Sequence, residues 1–382
     1  MWIIPGPGSL RLCKKPLILR GLIFRSYATK TSDPLRILFC GSDDFSIAHL
    51  KALHAYHLKQ PECISSIDVF PAVPIKAAAS ALSLPVHEID TFTGWKPPIS
   101  PNGHINLVIA VSFGLLVPPR ILNGTKYGGL NVHPSILPAF RGPAPLHHTL
   151  LAGRTTTGVT VQTLHPKKFD HGLILSQTPA PGFEIPNPES CTVRELVDFI
   201  APKGAQMLVD TIEKGLFVPP VSIAAVEQAG ELTHASKITP EDRHIDWANW
   251  TLTEISRRDR VIGPLWSKAL CSTNPADGPL KFQYKRIIFT DTEEVDPPRG
   301  CNAFSILPGL PFTNASHPVE PKKSRQLYVF TADGKVLRIN RMKVEGEQDA
   351  EGPRAAIKAR MFADQAFQYE GRDLTPFRNS LV

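Results

Sequence analysis

Two apolar runs in the first part of the chain are too short for helices and too hydrophobic for surface strands, Leu35–Cys40 (LRILFC) and Leu107–Val111 (LVIAV), and Gly129–His133 (GLNVH) reads as a further strand whose last residues are polar. Runs of this kind are buried on both faces, which requires a mainly parallel sheet covered by helices. The stretches between them agree. Phe45–Leu58 carries Phe45, Ala48, Leu50 and Leu53 at helical spacing directly after Gly41, with Ser42, Asp43 or Asp44 placed to cap the first turn. The pattern continues with a strand over Ile67–Phe70, a helix over Pro74–Leu82 and a strand opening at Pro85–His87. It then predicts a short helix near Arg120–Leu122, a helix over Pro145–Ala152 and strands over Val159–Leu164 and Leu173–Gln177. Thr192–Lys214 reads as a long helix that Pro202 breaks or kinks. The expected architecture is a Rossmann-like α/β domain over residues 34–218.

A different pattern begins after residue 235. Pro219–Thr233 has no clear period, so 219–235 reads as a linker. Lys281–Thr290, Gln326–Ala332 and Lys335–Lys343 have the composition of strands, and Asp333-Gly334 makes a hairpin of the last two. Gly300–Pro321 is rich in Pro, Gly, Ser and Asn and reads as an inserted loop. Residues 236–382 therefore form a smaller, mainly β domain.

The formal charge of +7 is not spread evenly. Residues 1–30 carry six basic groups and no acid, interrupted by Leu, Ile and Phe. That is the pattern of a mitochondrial transit peptide, although a plain basic tail has the same composition. Residues 31–235 hold 14 basic and 16 acidic groups, and residues 236–382 hold 22 and 19. No apolar run approaches the ~18 residues of a membrane-crossing helix. The cysteines, Cys13, Cys40, Cys63, Cys191, Cys271 and Cys301, show neither CxxC pairing nor zinc spacing, which points to a reducing compartment and no metal.

Two segments carry chemistry. In a strand, residues i and i+2 share a face, so Asn131 and His133 project together from the C-terminal end of Gly129–His133. Ligands of open α/β sheets bind at that end. An amide NH₂ and a protonated imidazole at one point suit a developing oxyanion. A stiff loop follows, Ser135–Pro138 and then Arg141-Gly142-Pro143-Ala144-Pro145. The second segment, Phe169-Asp170-His171-Gly172, is a tight acidic turn; an Asp brought beside His133 would orient the ring and accept a proton. His147, His148, His165 and His171 read as surface or loop residues. A dinucleotide site is disfavoured: only Gly41 of a GxGxxG fingerprint is present, and Asp43 and Asp44 stand where a pyrophosphate needs room.

The sequence NVHPSILPAFRGPAPLHHTLLAGRTTTGVTVQTLHPKKFDHGLIL resembles the core of the folate-dependent formyltransferases, with its Asn-x-His, its Ser-Leu-Leu-Pro loop (Ile136 replacing a Leu) and its later Asp-x-Gly. ILFCGSDDFS and VSFGLLVPPRIL resemble the family's first strand and its Phe-Gly loop. Lys237–Trp247 resembles the start of the second domain in the methionyl-tRNA branch. The resemblance implies formyl transfer from 10-formyltetrahydrofolate to the α-amine of initiator methionyl-tRNA, by a mitochondrial matrix enzyme that works as a monomer without a metal or a membrane. It implies catalytic roles for Asn131, His133 and Asp170, and a folate site lined by Phe113, Gly114, Ser135, Ile136, Leu137 and Pro138.

It further implies an OB-like second domain whose Lys281, Lys285, Arg286, Arg338, Arg341 and Lys343 meet tRNA phosphates. One departure stands out. The family's basic, Gly-rich loop after the second strand is absent, because Asp68-Val69-Phe70 runs directly into Pro71-Ala72-Val73-Pro74-Ile75-Lys76. Two alternatives remain open at this level: a small acceptor or water in place of tRNA, and a tRNA-binding homologue without catalysis.

Overall fold

The computed structural model describes residues 31–71, 73–88, 90–100, 103–221, 231–273, 281–298, 307–313, 326–359 and 361, with short strand segments further on. The basic segment 1–30, the middle of the expected linker and most of Gly300–Pro321 lie outside the described residues.

The first domain is built on a six-stranded sheet. Its strands are β1 (Leu35–Gly41), β2 (Ile64–Pro71), β3 (Leu107–Val111), β4 (Gly129–His133), β5 (Thr160–Thr163) and β6 (Ile174–Gln177), in the order β2-β1-β3-β4-β5-β6. The first four run parallel, β5 runs antiparallel to β4, and β6, antiparallel to β5, returns to the direction of the first four. Pro85–His87 does not open a strand of this sheet; it contributes a single bridge, Val69 to Val86. The β2–α2 junction is abrupt, since helix α2 (Val73–Ala81) follows Pro71 with one residue between.

Helix α1 (Asp44–Lys59) starts at an Asp43 cap, whose carboxylate accepts from the Ser46 N–H at 2.9 Å. The short helix α3 (Pro119–Leu122) and α4 (Pro145–Leu151) follow in turn. Helix α5 (Val193–Glu213) opens with a Thr192/Glu195 capping box and runs unbroken through Pro202. The expected break is absent because Pro202 lies on the exposed face, while Ile200, Ala201, Gly204, Ala205 and Leu208 bury the opposite face.

His49 is fully buried in α1, with Nδ1 2.7 Å from the Phe45 carbonyl oxygen. Burial pushes its pKa from the ordinary 6.5 to about 4. The unfolded chain therefore binds one more proton than the folded chain between those values, so stability falls as pH falls through 6.5. From pH 7.5 to pH 5 the expected loss is about 2 kcal/mol. Urea titrations at the two pH values measure it, and His49→Leu should flatten that part of the profile.

The second domain contributes helix α6 (Leu252–Ile262) and an antiparallel sheet. The principal strands are β7 (Trp266–Thr273), β8 (Lys281–Val295), β9 (Pro311–Thr313), β10 (Leu327–Phe330) and β11 (Val336–Val344), ordered β9-β10-β11-β8-β7. The β10–β11 hairpin turns at Asp333-Gly334 as expected, with Gly334 at φ +73°. Pro311–Thr313 falls inside the stretch expected to be loop; its alternate residue Phe312 stacks on Phe330 with ring centres 4.9 Å apart, which supplies the burial an edge strand needs. Helix α7 (Gly352–Ala359) packs on β11.

The two domains share a core. Leu252, Ile255, Ile287 and Phe289 belong to the same buried cluster as Leu35, Leu130 and Leu196. Arg260 Nε also donates to the Cys191 carbonyl oxygen at 3.1 Å. Among the described residues, no helix is long and apolar enough to cross a membrane, and no group of three or more His, Cys, Asp or Glu side chains is placed to hold a metal ion.

Candidate active site

The C-terminal ends of β1, β3 and β4 face a cavity of about 960 Å³. Ser42 and Asp43 border it after β1, Ser112–Val117 after β3, and Asn131 and His133 at the end of β4. Arg141–His147, Lys168–His171 and Leu232–His234 close the remaining sides. Leu115, Leu116, Phe169 and Leu232 form an exposed apolar rim.

The structure brings Asn131, His133 and Asp170 together. Asn131 Nδ2 lies 3.3 Å from Asp170 Oδ1, and His133 Nδ1 lies 3.4 Å from the same oxygen. The side chains of His133 and Asp170 are only 6% and 7% exposed. An amide NH₂ and an imidazole nitrogen thus face one carboxylate oxygen at the cavity floor, and Nδ1 donates to it when the ring is cationic. Asp170 reaches this position from a left-handed backbone conformation, φ +53°, in the turn between β5 and β6.

Two partners were not identified from the sequence. Gln162, 1% exposed and directly opposite Asn131 in the β4–β5 register, places Nε2 3.3 Å from Asp170 Oδ1. Its Oε1 accepts from the Gly172 N–H at 3.1 Å. Within Thr160–Thr163 it alternates with Val161 and shares its face with Thr160, so no local signal marked it. The second partner is the Phe140 carbonyl, 2.9 Å from His133 Nε2. A carbonyl only accepts, so Nε2 carries a hydrogen, and the edge that faces Asp170 and the cavity is Nδ1. Gly142 N–H completes the shell with a 2.9 Å bond to Asp170 Oδ2.

Phe113 and Gly114 line the cavity, but Ser135–Pro138 do not. That loop is tied behind the wall: Ser135 Oγ donates to the Ala139 carbonyl at 2.7 Å, and Thr160 Oγ1 bonds Ser135 O at 2.7 Å and Leu137 N at 3.1 Å. Ile136 packs against Gly158 and Gly182. His147, His165 and His171, read from sequence as surface or loop residues, border the cavity, whereas His148 Nε2 meets the Ser236 carbonyl at 3.0 Å. Burial, then neighbouring His148, lowers the His147 pKa. Burial raises the Asp43 carboxyl pKa against hydrogen bonds from Ser46 and Ser112.

The second-domain basic residues are not among the cavity-lining residues. Arg338 pairs with Glu293, and Arg341 pairs with Asp349. Arg286 stacks 4.3 Å above the Trp266 ring. Lys285 is half-buried, Lys343 is exposed and Lys281 begins β8.

The formyl transferase sequence profile matches residues 102–212, which contain Asn131, His133, Gln162 and Asp170. The chain is 31% identical over 309 residues to the mitochondrial methionyl-tRNA formyltransferase of Saccharomyces cerevisiae, covering 69% of this chain and 76% of that protein. The chain belongs to the methionyl-tRNA formyltransferase family. Its identity to the mitochondrial family member of Homo sapiens is 35% over 248 residues, covering 63% of this chain and 60% of that protein. For the mitochondrial member of Mus musculus it is 32% over 261 residues, covering 66% and 64%. The chain thus spans slightly less than two thirds of the length of these mammalian family members.

Proposed function

We propose that this chain transfers the formyl group of 10-formyltetrahydrofolate to the α-amine of methionine on initiator tRNA, in mitochondrial translation initiation. The observation that carries the reading is the grouping of Asn131 Nδ2 and His133 Nδ1, each within 3.4 Å of Asp170 Oδ1, beneath a cavity of about 960 Å³. An amide NH₂ and a protonated imidazole placed side by side suit a tetrahedral oxyanion. The amine nitrogen attacks the formyl carbon, and the carbonyl oxygen gains charge against Asn131 and His133. Asp170 takes the proton the amine loses. The C–N10 bond breaks, and N10 regains a proton as tetrahydrofolate leaves. Folate occupies the side of the cavity lined by Phe113 and Gly114, with Ser135–Pro138 supporting it from behind. Arg141 borders the cavity with a buried Nε that has no partner among the described residues, and it suits an anionic group of either substrate.

In this reading residues 1–30 direct the chain to the mitochondrial matrix, 34–218 are the catalytic unit, 219–235 the linker and 236–382 an OB-like tRNA-binding unit. The chain acts as a monomer. Lys281, Lys285, Arg286 and Lys343 are the phosphate contacts favoured there, because Arg338 and Arg341 already pair with acids. The test is transfer of labelled formyl by the full chain. Label is expected on methionyl initiator tRNA; label appearing on glycinamide ribonucleotide or as free formate, with none on tRNA, overturns the reading.

A further inference from the structure

Two of the groups that hold the reactive side chains come from one three-residue stretch. Phe140 supplies the carbonyl oxygen that meets His133 Nε2 at 2.9 Å, and Gly142 supplies the N–H that meets Asp170 Oδ2 at 2.9 Å. Both residues sit at positive φ, +56° and +124°. For Phe140, which carries a Cβ, that conformation is costly and persists only when its surroundings impose it.

What imposes it is residues 233–235, the chain approaching the second domain. The Phe140 N–H donates to Thr233 Oγ1 at 2.8 Å, and the Arg141 N–H donates to the Thr233 carbonyl at 3.0 Å. The Ala235 N–H donates back to the Arg141 carbonyl at 2.6 Å, and the Ala144 N–H donates to the Ala235 carbonyl at 3.2 Å. The fit leaves no room for a side chain at 142, where a Cβ would stand 2.5 Å from the Ala235 carbonyl oxygen. Among these contacts the Thr233 hydroxyl belongs to a side chain, so it can be removed while the backbone pairing stays.

We propose that Thr233 is a positioning residue for His133, acting through Phe140, so that the strap leading into the second domain sets the reactivity of the site. The relay is short: Thr233 Oγ1 accepts from the Phe140 N–H, and across the same Cα the Phe140 carbonyl meets His133 Nε2, leaving Nδ1 to face Asp170 and the cavity. The proposal rests on the formyl-transfer reading for its kinetic test and on geometry alone for its spectroscopic one.

The experiment compares Thr233→Val, which keeps shape and loses the hydroxyl, with Thr233→Ser, which keeps the hydroxyl. The full chain is used, with melting temperature as the check on folding. Thr233→Val is expected to lower kcat for formyl transfer about tenfold with KM for both substrates unchanged, since misaligned groups cost rate rather than binding. Thr233→Ser is expected to stay within about twofold of wild type. In ¹⁵N-histidine-labelled protein, the His133 ring signals, assigned by their loss in His133→Asn, should move in the Val variant and not in the Ser variant. Wild-type kcat in a folded Thr233→Val protein, equal losses in both variants, or unmoved His133 signals overturn the proposal. A wild-type chain that forms no formyl-methionyl-tRNA overturns the functional reading instead, while the His133 signals still decide the role of Thr233.

Discussion

Asn131→Ala is expected to lower kcat for formyl transfer by about 10²–10³, the usual consequence of removing one oxyanion donor. The substitution leaves β4 intact, because its pairing with β3 and β5 is carried by the backbone. Asp170 keeps contacts to His133, Gln162 and Gly142, so the turn that carries it stays in place. What disappears, in the proposed reading, is an NH₂ beside Asp170 that can donate where charge develops. An interaction made in the transition state and weak in the ground state appears in kcat, with KM little changed. Asn131→Asp is the sharper companion: it keeps the shape, replaces the donor by an acceptor and sets a second carboxylate beside Asp170, so its loss should be at least as large. Single-turnover transfer of labelled formyl measures both. A folded Asn131→Ala protein with near wild-type turnover would sink the oxyanion assignment.

The parts of this site visible in the sequence are those set by local geometry. Period-two alternation places Asn131 and His133 on one face of a strand, and the run GLNVH marks that strand by its apolar residues. Asp170 is legible as a turn residue, but its arrival beneath His133 depends on β5 returning antiparallel beside β4 in a register that sets Gln162 opposite Asn131. That register is a non-local fact. Gln162 was missed for the same reason: within Val159–Leu164 it looks like one polar position in an alternating strand, and its meaning lies in the partner strand. The strap is more distant still, since Phe140 and Thr233 are 93 residues apart and no periodicity links them. Pro202 fails in the opposite sense. The local rule predicts a break, but Pro202 faces solvent and the packed face of α5 keeps the helix continuous across it.

Gly172→Ala is expected to be the most damaging methyl group that can be added near the site. A Cβ at residue 172 would stand 1.6 Å from the carbonyl oxygen of Thr163 and 2.6 Å from its carbonyl carbon. Both are backbone atoms, so no side-chain rotation relieves the overlap; either β5 or the 169–172 turn has to move. Each route strikes the same centre. Moving the turn shifts Asp170, two residues away, and breaks the Gly172 N–H bond to Gln162 Oε1. Moving β5 disturbs the 2.9 Å bond from the Thr163 N–H to the Leu173 carbonyl and carries Gln162 with it. Overpacking against a fixed backbone should cost about 3 kcal/mol or more, visible as a melting temperature lower by several degrees. Formyl transfer should fall by at least about 10²-fold, because displacement on the scale of an ångström suffices for that. Gly114→Ala is the control for stability: no atom lies within 4 Å of its added methyl group, so its melting temperature should match wild type. If Gly172→Ala melts and turns over like wild type, the turn does not hold Asp170 where β4 presents Asn131 and His133, and the geometry argued for the whole site loses its third member.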